Sequence, residues 1–389
     1  MTPPRIKILH IINSFEFGGA EAMLCNLLLR TDTTRFAPSV VSLIDDLTVA
    51  GPIINAGIVP AVMGMRPGVP DPRALARLAR HLRRTKPDVI QTWMDHSNLI
   101  GGLAARAANA GPVVWGVHHS DHVPGLTKRS TLVTLAACAM LSRRLPTRIV
   151  FCSEHAAALY KDRGFAADRM DVIPNGFDTA RFRPDDSARQ GVRRELNIHA
   201  EAPLIGLVAR YDPVKDHANF LHAAALLVKT NPAAHFLLCG AGVDTDNPAL
   251  AKLVRSLGLD DCCHLLGPRR DVPRLTAALD VATSASISEA FPLAIGEAMA
   301  CAVPCVATDV GDSALMIGDT GRTVPPANPA ALAEAWRQLL TLSAEARASL
   351  GQSARARVTH LFDLDAVTRR YESLHARLAR RTNPTVKAA

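Results

Sequence analysis

Two series of short apolar runs, each alternating with a helical pattern, constrain this chain most. In the first half RIKILHII, APSVVSLI, PDVIQTW and PVVWGVH read as strands, and AEAMLCNLLLR, DPRALARLARHLRRT and LIGGLAARAANA read as helices between them. The pattern returns later: PLIGLVARY, AHFLLCG, DVATSAS and PCVATD read as strands, with HANFLHAAALLVKT, DVPRLTAAL and PLAIGEAMA as helices. Short, nearly continuous apolar strands are those buried on both faces, as in parallel sheets covered by crossover helices. The chain therefore reads as α/β: two Rossmann-like, doubly wound domains facing each other across a cleft. In such folds ligands bind just beyond the carboxyl ends of the strands.

At 389 residues there is material for two cores, and with aromatics at 4% those cores must be built mainly from Ala, Leu and Val. The polar stretch NGFDTARFRPDDSARQGVRRELNIHAEA marks the break. The expected division is an N-terminal domain over 1–178, a linker over 179–202 and a second domain over 203–360. After these, 361–389 reads as an amphipathic helix, FDLDAVTRRYESLHARLARR, and a disordered tail, TNPTVKAA.

Several classes are set aside. No apolar run approaches the ~20 residues of a membrane-spanning helix. The start MTPPRIKILHIIN has too short an apolar run, and no small-residue cleavage site, for a signal peptide. A cytoplasmic protein is expected, with contact to the inner face of the membrane an added possibility. The eight cysteines lack metal-ligand spacing and read as buried, reduced thiols, so no cysteine metal site is expected.

The formal net charge is +8, and residues 1–180 hold 20 Lys and Arg against 14 Asp and Glu. Arg73, Arg77, Arg80, Arg83, Arg84 and Lys86 lie along one helical stretch, and Lys128, Arg129, Arg143 and Arg144 flank a very apolar one. Such helices suit an anionic membrane surface, although a solvated basic face is the plain alternative. Nucleic acid is a poor partner, since no aromatics interleave with the cations.

Three stretches carry candidate chemistry. In FGGAEAM, Gly18 and Gly19 follow a strand and open a helix, where backbone can approach an anion closely. The G-x-G-x-x-G fingerprint is absent, which disfavours a nicotinamide cofactor. In GLVARYDPVKDH, Arg210 ends a strand and Lys215 follows in a loop, two cations suited to a diphosphate unless paired with Asp212 and Asp216. In SEAFPLAIGEAM, Glu289 precedes a helix begun by Pro292, and Glu297 lies about a turn and a half inside it. The backbone of Phe291, Pro292 and Leu293 would face a phosphate. The two carboxylates could accept hydrogen bonds from sugar hydroxyls on either side of it.

Together GGAE, VIPNGFD, GLVARYDPVKDH, SEAFPLAIGEAMACAVPCVATDVGD and GDTGRTVPP resemble the retaining glycosyltransferases of family 4, of the GT-B fold, over nearly the whole chain. The resemblance implies that Glu289 contacts the donor sugar and Glu297 the nucleotide ribose. It gives the diphosphate to Arg210 and Lys215, with Gly18 and Gly19 meeting it from the other domain. The family's sugar-side histidine matches His118 in VVWGVHHSDH, with His119 as the alternative. One departure is VGDSALMIGD, where the family often carries two glycines and a glutamate; here Asp312 and Leu315 stand instead.

The expected function is transfer of a sugar, with retention, from a nucleotide-diphosphate sugar of UDP or GDP type. The acceptor would be a hydroxyl, on a glycan or a lipid-linked intermediate of surface polysaccharide. The rivals are a GT-B enzyme of another reaction type, such as an epimerase or a disaccharide synthase, and a non-catalytic assembly protein at the membrane.

Overall fold

The computed structural model describes residues 4–16, 18–66, 71–119, 125 and 127–382. The tail beyond Thr382, expected to be disordered, lies outside them. The chain divides into two units, one of residues 1–176 with 364–389 and the other of residues 177–363.

Among the described residues the first unit holds a seven-stranded sheet: β1 (Ile6–Ile12), β2 (Phe36–Ser42), β3 (Ala61–Val62), β4 (Val89–Trp93), β5 (Val113–Val117), β6 (Arg148–Phe151) and β7 (Met170–Val172). All pair in parallel, in the order β3-β2-β1-β4-β5-β6-β7. Its helices are α1 (Gly19–Arg30), α2 (Gly51–Asn55), α3 (Pro72–Thr85), α4 (Asp95–Ala108), α5 (Arg129–Leu141) and α6 (Glu154–Asp162).

The second unit holds a parallel six-stranded sheet of β8 (Leu204–Val208), β9 (His235–Cys239), β10 (Cys263–Leu265), β11 (Val281–Ser284), β12 (Cys305–Thr308) and β13 (Gly321–Val324). Its order is β10-β9-β8-β11-β12-β13. The helices are α7 (Asp186–Glu195), α8 (His217–Val228), α9 (Pro248–Ser256), α10 (Val272–Ala277), α11 (Leu293–Ala300), α12 (Ser313–Ile317), α13 (Pro329–Leu340) and α14 (Ala344–Phe362). The last helix, α15 (Leu364–Thr382), belongs to the first unit.

Local chemistry explains many of these starts. Asp71, Ser153, Asp185, Asn247 and Asn328 each cap a helix by accepting a backbone N–H from its first turn, and Pro72, Pro248 and Pro329 occupy first positions. Two helices that begin at candidate residues, α1 at Gly18 and Gly19 and α11 at Pro292 and Leu293, have no side-chain cap.

Long-range contacts set the rest. Helix α7 is polar, yet Arg193 is buried on it and donates to Asp280 Oδ2 at 2.7 Å, while Leu204 N donates to the same oxygen at 2.8 Å. Arg189 donates to the other oxygen, Asp280 Oδ1, at 2.8 Å. Removing Asp280 would therefore strip buried Arg193 of its carboxylate, at a cost of about 3–5 kcal/mol, whereas Asp280 would keep Arg189 if Arg193 were removed. Helix α15 lays Leu364, Val367, Tyr371, Leu374 and Leu378 into the core around Ile8, Ile12, Leu24 and Trp93. All eight cysteines are free, seven of them buried. No described helix is long and apolar enough to cross a membrane.

Candidate active site

Each sheet reverses its strand order once, between β1 and β4 in the first unit and between β8 and β11 in the second. Loops leaving the two central strands diverge there and open a crevice at the carboxyl edge. In the second unit these loops carry Lys215, after β8, and Glu289, after β11. They are tied together by backbone, Ile287 N donating to Val214 O at 2.9 Å.

Lys215 Nζ donates to Glu289 Oε1 at 2.5 Å, and Ser286 Oγ donates to the same oxygen at 2.8 Å. Thr308 Oγ1 in turn donates to Ser286 O at 2.6 Å, fixing the loop from β12. The pair is only partly wet, with 25% of the lysine and 14% of the glutamate side chain exposed. The turn after β12 closes on this loop. Gly311 has φ +56°, a Cβ there would come within 2.1 Å of Glu289 O, and Asp312 N donates to Ala290 O at 3.1 Å. Only glycine fits at that point.

Arg210 differs from its expected place. Strand β8 closes at Val208, two residues earlier: its pairing with β11 ends at Leu207 and its pairing with β9 at Val208. Arg210 sits in the loop beyond, 51% exposed, and donates to Asp212 Oδ2 at 3.0 and 3.2 Å. Asp212 also accepts from Val214 N, so this ion pair shapes the loop that presents Lys215.

Helix α11 begins at Leu293 with Pro292 as its N-cap, one residue later than the sequence implies. Phe291 before it is buried and stacks on Phe177, with ring centroids 6.0 Å apart and planes at 19°. Phe177 also covers Gly296, where a Cβ would lie 2.0 Å from its ring. One turn in, Glu297 is half-buried, and among the described residues its carboxylate has no hydrogen-bond partner. Burial pushes that carboxyl up to about 7, with the charge of Arg181 pulling the other way. A carboxylate carried into low dielectric without donors is costly unless a ligand supplies them.

The first unit presents different chemistry. Gly18 caps α1 in extended backbone, with Gly19 as the first helical residue. His118 follows β5 and stacks face to face on Trp93, the last residue of β4, at 4.8 Å and 19°. Among the described residues neither ring nitrogen has a hydrogen-bond partner of good geometry. Burial, then the neighbouring His119, push His118 down to about 3, partly offset by the Asn175 carboxamide, so its imidazole is neutral. His119 is exposed. A cavity of about 440 Å³, lined by Gly102, Arg106, Val113 and Leu145 among others, lies at the opposite end of β5 from His118. Among the described residues no three His, Cys, Asp or Glu side chains converge as a metal-binding group.

Comparison with known proteins agrees with this geometry. The family model for glycosyl transferases group 1 matches residues 202–342, and that for glycosyltransferase family 4 matches residues 17–181. The chain belongs to the group 1, family 4 glycosyltransferases. A relative in Escherichia coli, UDP-Gal:α-D-GlcNAc-diphosphoundecaprenol α-1,3-galactosyltransferase, is 25% identical over 68% of each chain. The D-inositol 3-phosphate glycosyltransferase of Salinispora arenicola is 34% identical over 48% of this chain and 45% of that one. Among solved structures, Anabaena HepE in complex with UDP and glucose superposes with a TM-score of 0.85, at 23% identity over 96% of this chain and all of that one. This glycosyltransferase therefore has the GT-B fold.

Of the candidate residues in this glycosyltransferase, Lys215 and Glu289 are in direct contact, and Phe291, Pro292, Leu293 and Glu297 continue from them along one loop and helix. Gly18, Gly19 and His118 lie in the other unit. Sequence reasoning missed Ser286, Arg181, Asn175 and Trp93. Ser286 could have been found from its place three residues before Glu289. Asn175 could have been found within VIPNGFD. Nothing local marks Trp93 or Arg181.

Proposed function

We propose that this glycosyltransferase transfers a hexose, with retention and without a metal ion, from a nucleotide-diphosphate sugar to a hydroxyl acceptor. The observation that carries the reading is one arrangement: the Lys215–Glu289 pair at the strand-order reversal, followed by an uncapped helix that holds the partnerless Glu297. Such a site offers a cation and free N–H groups to a diphosphate, and carboxylates to the hydroxyls on either side. The solved structures of HepE with UDP and with UDP-glucose support a uridine nucleotide as the first donor to test.

In this reading Lys215 and the start of α11 offset the charge that grows on the departing phosphate. Glu297 receives the ribose hydroxyls. Glu289, one oxygen already engaged by Lys215 and Ser286, serves as a hydroxyl acceptor and not as a nucleophile. Retention then follows from departure and attack on one face of the sugar. Gly18 and Gly19 are assigned to the diphosphate, Arg210 to its outer edge, and neutral His118 to the sugar.

The acceptor in this proposal is a lipid-linked glycan of surface polysaccharide, met at the cytoplasmic face of the membrane. The name of the Escherichia coli relative, which acts on a diphosphoundecaprenol substrate, supports it. So does α5, where Val133 is 70% and Met140 75% exposed between the cations Lys128 and Arg129 at one end and Arg143 and Arg144 at the other.

A thermal-shift screen against UDP, GDP, ADP, dTDP and their sugars, with and without EDTA, tests the donor site. A selective shift that survives EDTA and vanishes in Glu297→Ala supports it. No shift, or a shift only with metal, refutes it. Incubation with the matching sugar nucleotide and NMR of the product then separates α-linked transfer from an epimerised sugar.

A further inference from the structure

His118 poses a physical problem. A side chain that orients a sugar must itself be held, yet among the described residues neither of its ring nitrogens makes a hydrogen bond of good geometry, Asn175 acting on it only electrostatically. What holds the ring is its face, against the indole of Trp93. Offset or parallel aromatic contacts of this kind stabilise beyond buried area and fix a plane while leaving the edge free.

Trp93 is in turn fixed by two independent supports. Its Nε1–H donates to His10 Nδ1 at 3.2 Å, so His10 must keep that nitrogen bare and carry its proton on Nε2. Its ring also lies 6.1 Å from Tyr371 on α15, with planes at 26°. Next to Tyr371 on that helix, His375 packs edge-on against His10 at 6.0 Å. His375 Nε2 is 3.2 Å from Gln91 Oε1. The Gln91 amide cannot turn over freely, because its Nε2 donates to Thr92 O at 3.1 Å, so His375 is the donor. His10, Gln91, Trp93, Tyr371 and His375 are all buried, and burial lowers both histidines, His375 to about 4. The assembly is neutral and its protons are assigned.

We infer that Trp93 is a positioning residue for His118, and that α15 supports it through Tyr371 and His375, so that the last helix of the chain sets the plane of the sugar-side imidazole. The inference rests on the assignment of His118 to the donor sugar made above. It adds residues that touch neither donor nor acceptor and act only through that ring.

The test combines solution NMR and kinetics on the full chain. A ring stacked on indole has its carbon-bound protons shifted upfield. In selectively labelled protein the His118 resonances should be upfield, and should move to ordinary positions in Trp93→Leu. If they are ordinary in the unmodified protein, the inference falls without any variant.

For kinetics, Trp93→Leu should lower kcat about 10- to 100-fold with donor KM nearly unchanged, the signature of lost orientation. Trp93→Phe, which keeps a stacking face, should recover most of it. Tyr371→Leu should fall in the same direction by less. In a His118→Ala background Trp93→Leu should cost nothing further. If Trp93→Leu fails to fold, Trp93→Phe and Tyr371→Leu carry the same comparison. Full kcat in Trp93→Leu or Tyr371→Leu, beside a crippled His118→Ala, overturns this inference alone. Full kcat in His118→Ala overturns the role of His118 and this inference with it.

Discussion

The candidate residues of the two units differ in kind. The second unit uses charge: a lysine held on a glutamate, an uncapped helix start and a carboxylate left without donors. The first uses shape: a neutral imidazole flat on an indole, with every buried group behind it uncharged. Charge gives affinity for a diphosphate but is indifferent to small rotations. Stacking gives little affinity and fixes an orientation. In the proposed reading this contrast gives nucleotide binding to the second unit and sugar alignment to the first.

Four changes would break or sharpen that contrast. The largest effect is expected from Lys215→Ala, which removes the cation proposed to face the leaving phosphate and takes away the charged partner of Glu289. kcat/KM should fall by about 100-fold or more in a donor-turnover assay. A loss below tenfold would return the diphosphate to Arg210.

Next is Glu297→Gln. Charged hydrogen bonds contribute about 1.5–3 kcal/mol, so calorimetry should show nucleotide affinity about 10- to 100-fold weaker. The unmodified protein should also bind more tightly as pH rises. The free carboxyl titrates near 7, and hydroxyl donors favour its ionised form, so binding releases protons below that pH. Affinity at pH 6 should therefore be about tenfold below that at pH 8, and flat in Glu297→Gln. His118, pushed down to about 3, should add no step between pH 5 and 8.

Gly311→Ala is expected to destabilise by about 2 kcal/mol or more, read by denaturant unfolding, because it forces a side chain into left-handed backbone against the Glu289 carbonyl. The smallest effect is expected from Arg210→Met. Its guanidinium is exposed and already paired with Asp212, so donor KM should rise about two- to fivefold.

The double series of parallel strands was legible because runs such as IKILHII and HFLLC are apolar at most positions on both faces, with Lys7, His10 and His235 the exceptions, as strands covered on both sides require. The glutamate pair was legible because acidic residues in an apolar helical stretch have few structural uses. Other features were not. Helix α7 hides its buried face behind Arg193, whose burial makes sense only once Asp280, far away in sequence, is opposite it. Helix α14 has glycine, serine and arginine spread along it and shows little apolar periodicity. The stack on His118 joins residues from β4, the loop after β5 and α15, and no periodicity within one segment can reveal such a contact.

Helix α15 has a further consequence, for the order in which the molecule is made. Residues 177–363 leave the ribosome as one continuous stretch containing every strand of the second sheet, and can close on themselves at once. The first unit cannot. Its core lacks Leu364, Val367, Tyr371, Leu374 and Leu378 until the whole of the second unit has been made. The domain translated first is thus completed last, and its β1–β4 seam stays uncovered, a target for chaperones or for aggregation, while the rest of the protein is being built.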